Sequence, residues 1–213
     1  MGAHAWPGRL LDVGCAAGLF LAVMGERGWR LEGLEPSAEA SAVARGRAGV
    51  TVHEGPFEDV VLPEEAYDAV AMLDVLEHLA SPRAAVRRVR GLLRPGGTFM
   101  IVVPSYRNLT TTVALAALWA SRGRLRGPAE GVHQLVHLSY FTPRTLTRLL
   151  REEGFEVVAT RPDATVLELL DEPLAVRAGL TALFALSRPL RLQNKVAVIA
   201  RRPEAAGPVV GPL

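Results

Sequence analysis

The chain has 213 residues, 49% of them hydrophobic and 22% charged, which suffices for one substantial core and fits one domain better than two. The formal charge is +2 and the pI near 9.1, carried by scattered arginines and a single lysine, Lys195, with no polybasic tail, so no nucleic-acid partner is expected. No apolar run reaches the roughly 18 to 20 residues of a membrane-spanning helix, no secretory pattern opens the chain, and the lone Cys15 excludes an internal disulfide, so a cytoplasmic setting is expected.

In chain order, apolar strand-like runs alternate with helix-like segments. A strand over Arg9–Val13 leads into a helix from Leu19 to Arg27. The pattern then predicts a strand over Arg30–Leu34, a helix over Ala38–Arg47, strands over Val50–His53 and Tyr67–Leu73, a helix over Pro82–Leu93 and a strand over Thr98–Val103. The punctuation agrees: Ser37 caps one helix start, Ser81-Pro82 another, and Arg94-Pro95-Gly96-Gly97 turns a helix into a strand. Such alternation predicts a parallel sheet with helices on both faces.

After Val103 the rhythm breaks. Residues 104–135 hold an apolar stretch, Val113–Ala120, followed by Arg122, Arg124 and Arg126. The alternation resumes where Thr142-Pro143 opens a helix to about Glu153, Gly154 stops it and Phe155–Ala159 forms a strand. A second insertion, residues 163–194, contains the apolar run Leu174–Leu186 with Arg188 and Arg191 at its end. The last strand is Lys195–Ala200, and the tail 203–213 is expected to be loose.

The stretch Leu10–Phe20, LLDVGCAAGLF, is a strand that ends in a turn bracketed by Gly14 and Gly18 before a helix. Glycines there let a backbone approach a ligand and present helix-terminal N–H groups to it; either one also serves simply to ease a tight turn. The spacing is not the Gly-x-Gly-x-x-Gly of dinucleotide enzymes, which argues against NAD. Cys15 reads as a small buried residue. Glu35 closes the second strand about 20 positions beyond Gly14, where a doubly wound sheet offers a carboxylate to a ribose diol. The alternative is that Glu35 caps the following helix together with Ser37.

Taken with LEGLEPS, YDAVAMLDVLEHLASP, LLRPGGTFMIVVPS and HLSYFTPRTLTRLLREEGFEVV, in this order, the stretch resembles the class I S-adenosylmethionine-dependent methyltransferases. The likeness is greatest to the group that includes the ubiquinone-biosynthesis O-methyltransferases. The resemblance implies an α/β, Rossmann-like, doubly wound seven-stranded sheet of order 3-2-1-4-5-7-6 with the last strand antiparallel, in a single domain over residues 1–202. S-adenosyl-L-methionine is the cofactor it implies. Asp12, Gly14, Cys15, Gly18 and Phe20 would surround the methionine portion and Glu35 with Pro36 would meet the ribose. Leu73 and Asp74 would lie beside the sulfonium end. Ala16 replaces the middle glycine of the motif. Pro56 stands where many relatives carry an acidic residue for the adenine amino group, which leaves Phe57 to pack on adenine and Glu58 to accept from it.

Methyl transfer from a sulfonium is an in-line attack that needs alignment, exclusion of water and removal of a hydroxyl proton, but no covalent nucleophile. The base candidates are His137, His78 and His133, with His78 alternatively a structural residue. Asp74, Glu77 and His78, spaced i, i+3, i+4, would share one side of a helix and are the one set suited to a divalent cation; structural capping is the favoured reading, and no metal is expected. The first strand begins within ten residues of Met1, which leaves cover of the acceptor to the insertions, a partner subunit or further residues. The insertions are expected to cover a small hydrophobic acceptor, to touch a membrane surface through their arginines, or to form a homodimer interface. The expected reaction is methylation of a hydroxyl; the alternative is a non-catalytic S-adenosylmethionine-binding protein.

Overall fold

Strands that are buried on both faces read as nearly continuous apolar runs, and β1 (Arg9–Val13) and β4 (Tyr67–Leu73) are of this kind, with Leu11, Val13, Tyr67, Val70 and Met72 almost fully buried. The computed structural model describes residues 8–106, 108–124, 137–163, 185–187, 189 and 194–204. With β2 (Arg30–Glu35), β3 (Thr51–Glu54), β5 (Leu93–Pro104), β6 (Glu156–Asp163) and β7 (Lys195–Arg201), these strands form one seven-stranded sheet of order β3-β2-β1-β4-β5-β7-β6. Strands β1 to β5 pair in parallel, and β7 lies antiparallel between β5 and β6. This is the expected order and the expected antiparallel last strand.

The helices form where the caps predict. In α3 (Pro82–Leu92) the Ser81 side chain accepts from the Ala84 N–H, Pro82 occupies the first turn, and Ala85, Val86, Val89 and Leu92 make the buried stripe. In α5 (Pro143–Glu152) Thr142 and Thr145 close a reciprocal capping box, and Leu146 and Leu150, one turn apart, are fully buried. Each such leucine stabilises the fold by roughly 1.5–3 kcal/mol through burial alone. These stripes pack with β1, β4, β5 and β7 into the main core, while Cys15, Leu21, Ala44 and Val52 form a smaller cluster where α1 (Leu19–Gly25) meets α2 (Ala38–Ala48).

Four boundaries differ from the expectation by two residues or more. β5 begins at Leu93 rather than Thr98, because Gly96 and Gly97 exchange main-chain hydrogen bonds with Arg202 and the Arg94–Gly97 turn is absorbed into the edge of the sheet. β6 runs on to Asp163 because its pairing with β7 continues to Lys195. α1 stops at Gly25, where Gly28 at φ 81° turns the chain back into β2. α4 (Leu109–Ala120) starts four residues before the apolar run, because the Asn108 side chain accepts from the Thr111 N–H at 2.7 Å and so caps it. The second apolar run, apart from residues 185 and 186, together with Arg126, Arg188, Arg191 and the tail beyond residue 204, lies outside the described residues. Among the described residues no helix is long and apolar enough to cross a membrane.

Candidate active site

The carboxyl ends of β1, β2 and β4 converge on the glycine turn. The chain leaves Val13 through Gly14 at φ 72°, Ala16 at φ 45° and Gly18 at φ 74°. A Cβ on Gly14 would stand 2.4 Å from Val75 Cγ2, and one on Gly18 would stand 2.9 Å from Ala44 Cα. Both glycines are therefore demanded by backbone handedness and by the neighbours' approach. Ala16 adopts the left-handed region at a cost of about 1–2 kcal/mol. Leu34 O receives hydrogen bonds from Gly14 N at 2.7 Å and Cys15 N at 3.1 Å, which locks the turn to the end of β2. Cys15 is buried beside Gly33, and burial, with help from Asp12 and Glu35, pushes its thiol up to about 12, so it fills space, as expected, rather than reacting.

Two carboxylates lie behind this turn. Glu35 Oε2 accepts from Ala16 N at 2.9 Å and Oε1 accepts from Ser37 N at 3.0 Å, so Glu35 braces the glycine turn and the entry to α2 at once, while Ser37 caps α2 through Ala40 N. Asp12 is 2% exposed, and burial first, then the charge of Glu35, pushes its carboxyl up to about 7. An acidic pair held this way is stabilised by a cation, and a glycine-lined cradle admits a close ligand, so these residues fit the ammonium and sulfonium charges of S-adenosylmethionine.

The remaining candidates are dispersed around the cradle. Phe20 is half-buried in the first turn of α1, Pro36 is exposed just beyond β2, and Leu73 is half-buried at the end of β4. Phe57 departs from the expectation. It is 3% exposed in the main core, and the Arg88 guanidinium lies 4.8 Å over its ring, so the ring offers no open face to adenine. Arg88 also donates to Glu58 O at 3.1 Å and to Val60 O, pinning that loop to α3, and the Glu58 side chain remains exposed.

The turn after β4 also differs. Only Leu76–His78 is helical, as a single 3-10 turn, and Asp74 precedes it at φ 57° with its carboxylate paired to Lys195 at the start of β7. Asp74, Glu77 and His78 therefore do not share the helix face on which that set was considered for a cation. His137 instead joins Glu77 and His78. Leu138 N at 2.9 Å and Ser139 N at 3.1 Å both donate to Glu77 O, while Phe141 bridges Ser105 beside the end of β5 and accepts from Tyr106 N at 2.8 Å. This strap sets the His78 and His137 rings edge to face at 4.8 Å, with Tyr140 6.1 Å from His137 and Tyr106 5.8 Å from Tyr140. Phe141 is buried, whereas Tyr140 is 45% exposed beside His137. His133 lies outside the described residues. Sequence reasoning missed Tyr106 and Lys195; that Lys195 is the chain's only lysine was the available signal for the second.

A family model described as a methyltransferase domain matches residues 2–160. The chain is 28% identical over 155 residues to a ubiquinone biosynthesis O-methyltransferase of Aeromonas salmonicida, an alignment covering 70% of this chain and 63% of that protein. It is 31% identical over 187 residues to the protein of that name from Burkholderia pseudomallei, covering 84% of this chain and 76% of the other. The chain thus spans about three fifths of the length of the first of these relatives. Among solved structures, an S-adenosylmethionine-dependent methyltransferase from Mesorhizobium loti matches with a TM-score of 0.64 at 21% identity, covering 91% of this chain and 90% of the other, a likeness of fold. With its sheet order, its glycine turn and three quarters of its length within the family match, the chain belongs to the methyltransferase-domain family, in the class I S-adenosylmethionine-dependent fold.

Proposed function

We propose that the chain transfers a methyl group from S-adenosylmethionine to a hydroxyl oxygen of a small, apolar acceptor. One observation carries this reading: the Asp12–Glu35 acidic pair and glycine cradle at the ends of β1 and β2 adjoin, across the turn after β4, a cluster of His78, His137, Tyr140 and Tyr106. The first half suits a cationic cofactor and the second suits a neutral acceptor that must lose a proton. The cofactor, when bound, supplies a methyl group on a positively charged sulfur.

In this reading Asp12, Gly14, Cys15, Gly18 and Phe20 surround the methionine portion, Glu35 and Pro36 meet the ribose, and Glu58 accepts from the adenine amino group. Leu73 and Asp74 border the sulfur, with the Asp74 charge balanced by Lys195. His137 or His78 takes the hydroxyl proton, and the edge-to-face rings of Tyr140 and Tyr106 beside them give the acceptor an aromatic surface. After β5, α4 exposes Val113, Leu115 and Trp119 and is followed by exposed Arg122 and Arg124, which supports collection of the acceptor from an apolar or anionic lipid surface. The test is incubation with methyl-labelled S-adenosylmethionine and a panel of hydroxylated, aminated and thiol-bearing apolar compounds. Label recovered as a methyl ether supports the reading; label on nitrogen or sulfur alone, or cofactor binding without turnover on any compound, refutes it.

A further inference from the structure

Glu77 is physically the most anomalous side chain in the structure. It is 1% exposed, yet among the described residues neither carboxylate oxygen has a hydrogen-bond partner on any other residue. A buried carboxyl without partners is strongly disfavoured unless it holds a proton or gains a partner, so its retention needs a reason. Its surroundings provide one. A carboxylate oxygen of Glu77 and ring nitrogens of His78 and His137 all lie within 4.8 Å of one another, with Glu77 buried, His137 half-buried and His78 exposed. The carboxyl thus stands behind and the imidazoles in front. The same joint fixes both sides, because Glu77 O accepts the Leu138 and Ser139 N–H groups next to His137.

We infer that Glu77 is a positioning residue for methyl transfer: its main-chain carbonyl holds the His137 segment in place, and its buried carboxylate stabilises the imidazolium formed when His137 takes the acceptor's hydroxyl proton. This rests on the methyl-transfer reading above. In the step, a lone pair of the hydroxyl oxygen forms the new carbon–oxygen bond and the carbon–sulfur bonding pair stays on sulfur. The hydroxyl proton passes to His137 and leaves afterwards to solvent past His78. Burial and then His78 hold the His137 pKa below the usual histidine range, and Asp74 opposes them. An ionised Glu77 carboxylate, within 4.8 Å of the ring, pulls in the same direction as Asp74, since an opposite charge within about 4–6 Å favours the protonated ring. Burial pushes the Glu77 carboxyl up to about 7 against its own main-chain N–H, with Asp74 adding to the rise and His78 and Lys195 opposing it, so the carboxyl acquires its charge near neutral pH. Among the described residues, those groups with His137 are the charged and titratable ones that face it, and the Asp74 charge is already met by Lys195.

The test needs no acceptor. Protein labelled with nitrogen-15 in histidine is titrated by NMR, with His137 and His78 assigned from His137→Gln and His78→Gln, and compared with Glu77→Gln. The expected result is that His137 holds its proton at least about tenfold more tightly, one pH unit, in the parent than in Glu77→Gln. An unchanged His137 titration overturns the inference. Should Glu77→Gln fail to fold, Glu77→Asp, which withdraws the carboxyl by one methylene, is expected to lower the His137 pKa in the same direction, and no change again overturns it. On any acceptor methylated in the panel, Glu77→Gln is expected to lower kcat about 10- to 100-fold with KM for S-adenosylmethionine unchanged, and to add nothing to His137→Gln. If instead EDTA abolishes turnover, magnesium restores it and Glu77→Gln removes that dependence, the cluster serves a cation and the proton role is wrong. The NMR titration reads the pair whether or not any acceptor is turned over, so its failure is distinct from failure of the methyl-transfer reading.

Discussion

Replacing Glu35 with glutamine separates its two roles. In the structure its carboxylate accepts from Ala16 N at 2.9 Å and from Ser37 N at 3.0 Å. A glutamine keeps one acceptor oxygen and points an amide NH2 at the other N–H, so one charge-assisted hydrogen bond becomes a donor facing a donor. Hydrogen bonds to charged groups are worth about 1.5–3 kcal/mol, which sets the expected loss of stability near 2 kcal/mol, or a Tm lower by roughly 4–8 °C for a chain of this length. Removing the Glu35 charge also eases Asp12, whose carboxyl that charge pushes up, so the observed fall is expected toward the lower figure. Binding should suffer separately: a ribose hydroxyl that loses its carboxylate partner weakens S-adenosylhomocysteine by a further 1.5–3 kcal/mol, about 10- to 150-fold. Differential scanning fluorimetry reads the first effect, and calorimetric titration well below the variant's Tm reads the second. A lowered Tm with unchanged affinity would reduce Glu35 to a brace of the turn and refute the ribose assignment.

Ala16→Gly, which relieves a left-handed alanine at φ 45°, is expected to stabilise the fold by about 0.5–1 kcal/mol after the entropy of the added glycine is subtracted; a lower Tm would show that the alanine is not strained. Asp12 and Glu77 both have folded-state carboxyls pushed up to about 7 by burial, so each binds its proton more tightly folded than unfolded. Their contribution is fully present below the unfolded carboxylate pKa and is lost as the pH rises toward and through about 7. Urea denaturation of the ligand-free protein should therefore show lower stability at about pH 8 than at about pH 5.5, on the order of 2 kcal/mol for each group. Asp12→Asn should remove its share of that slope, and a slope unaltered by the substitution contradicts the assignment. Trp119→Ser combined with Arg122→Ser and Arg124→Ser is expected to reduce co-sedimentation with phosphatidylglycerol vesicles, since Trp119 is 83% exposed beside both arginines; a parent protein that ignores such vesicles ends the lipid-surface reading.

The elements easiest to read were those set by local chemistry. The apolar runs of β1 and β4, the Ser81-Pro82 and Thr142-Pro143 caps and the glycine turn stand almost where periodicity and capping place them. The misreadings came from partners distant in sequence. Arg94–Gly97 reads locally as a turn, but Arg202 draws its glycines into the sheet edge. Leu73–Leu79 has helical spacing, but Lys195, 121 residues along the chain from Asp74, holds that aspartate outside the single helical turn. Phe57 follows Gly55-Pro56 and looks free to meet a ligand until Arg88, on α3, covers it. The meeting of His137 with His78 depends on two N–H groups that choose the Glu77 carbonyl, and no spacing within either segment encodes that choice.

The central claim is that the cradle of Asp12, Gly14, Gly18 and Glu35 binds S-adenosylmethionine as a methyl donor. Calorimetric titration of the purified protein with S-adenosylmethionine, S-adenosylhomocysteine and NAD tests it most directly. Micromolar binding of the two adenosyl ligands with none of NAD is the predicted result. Binding of NAD, or of none of the three, would contradict the account.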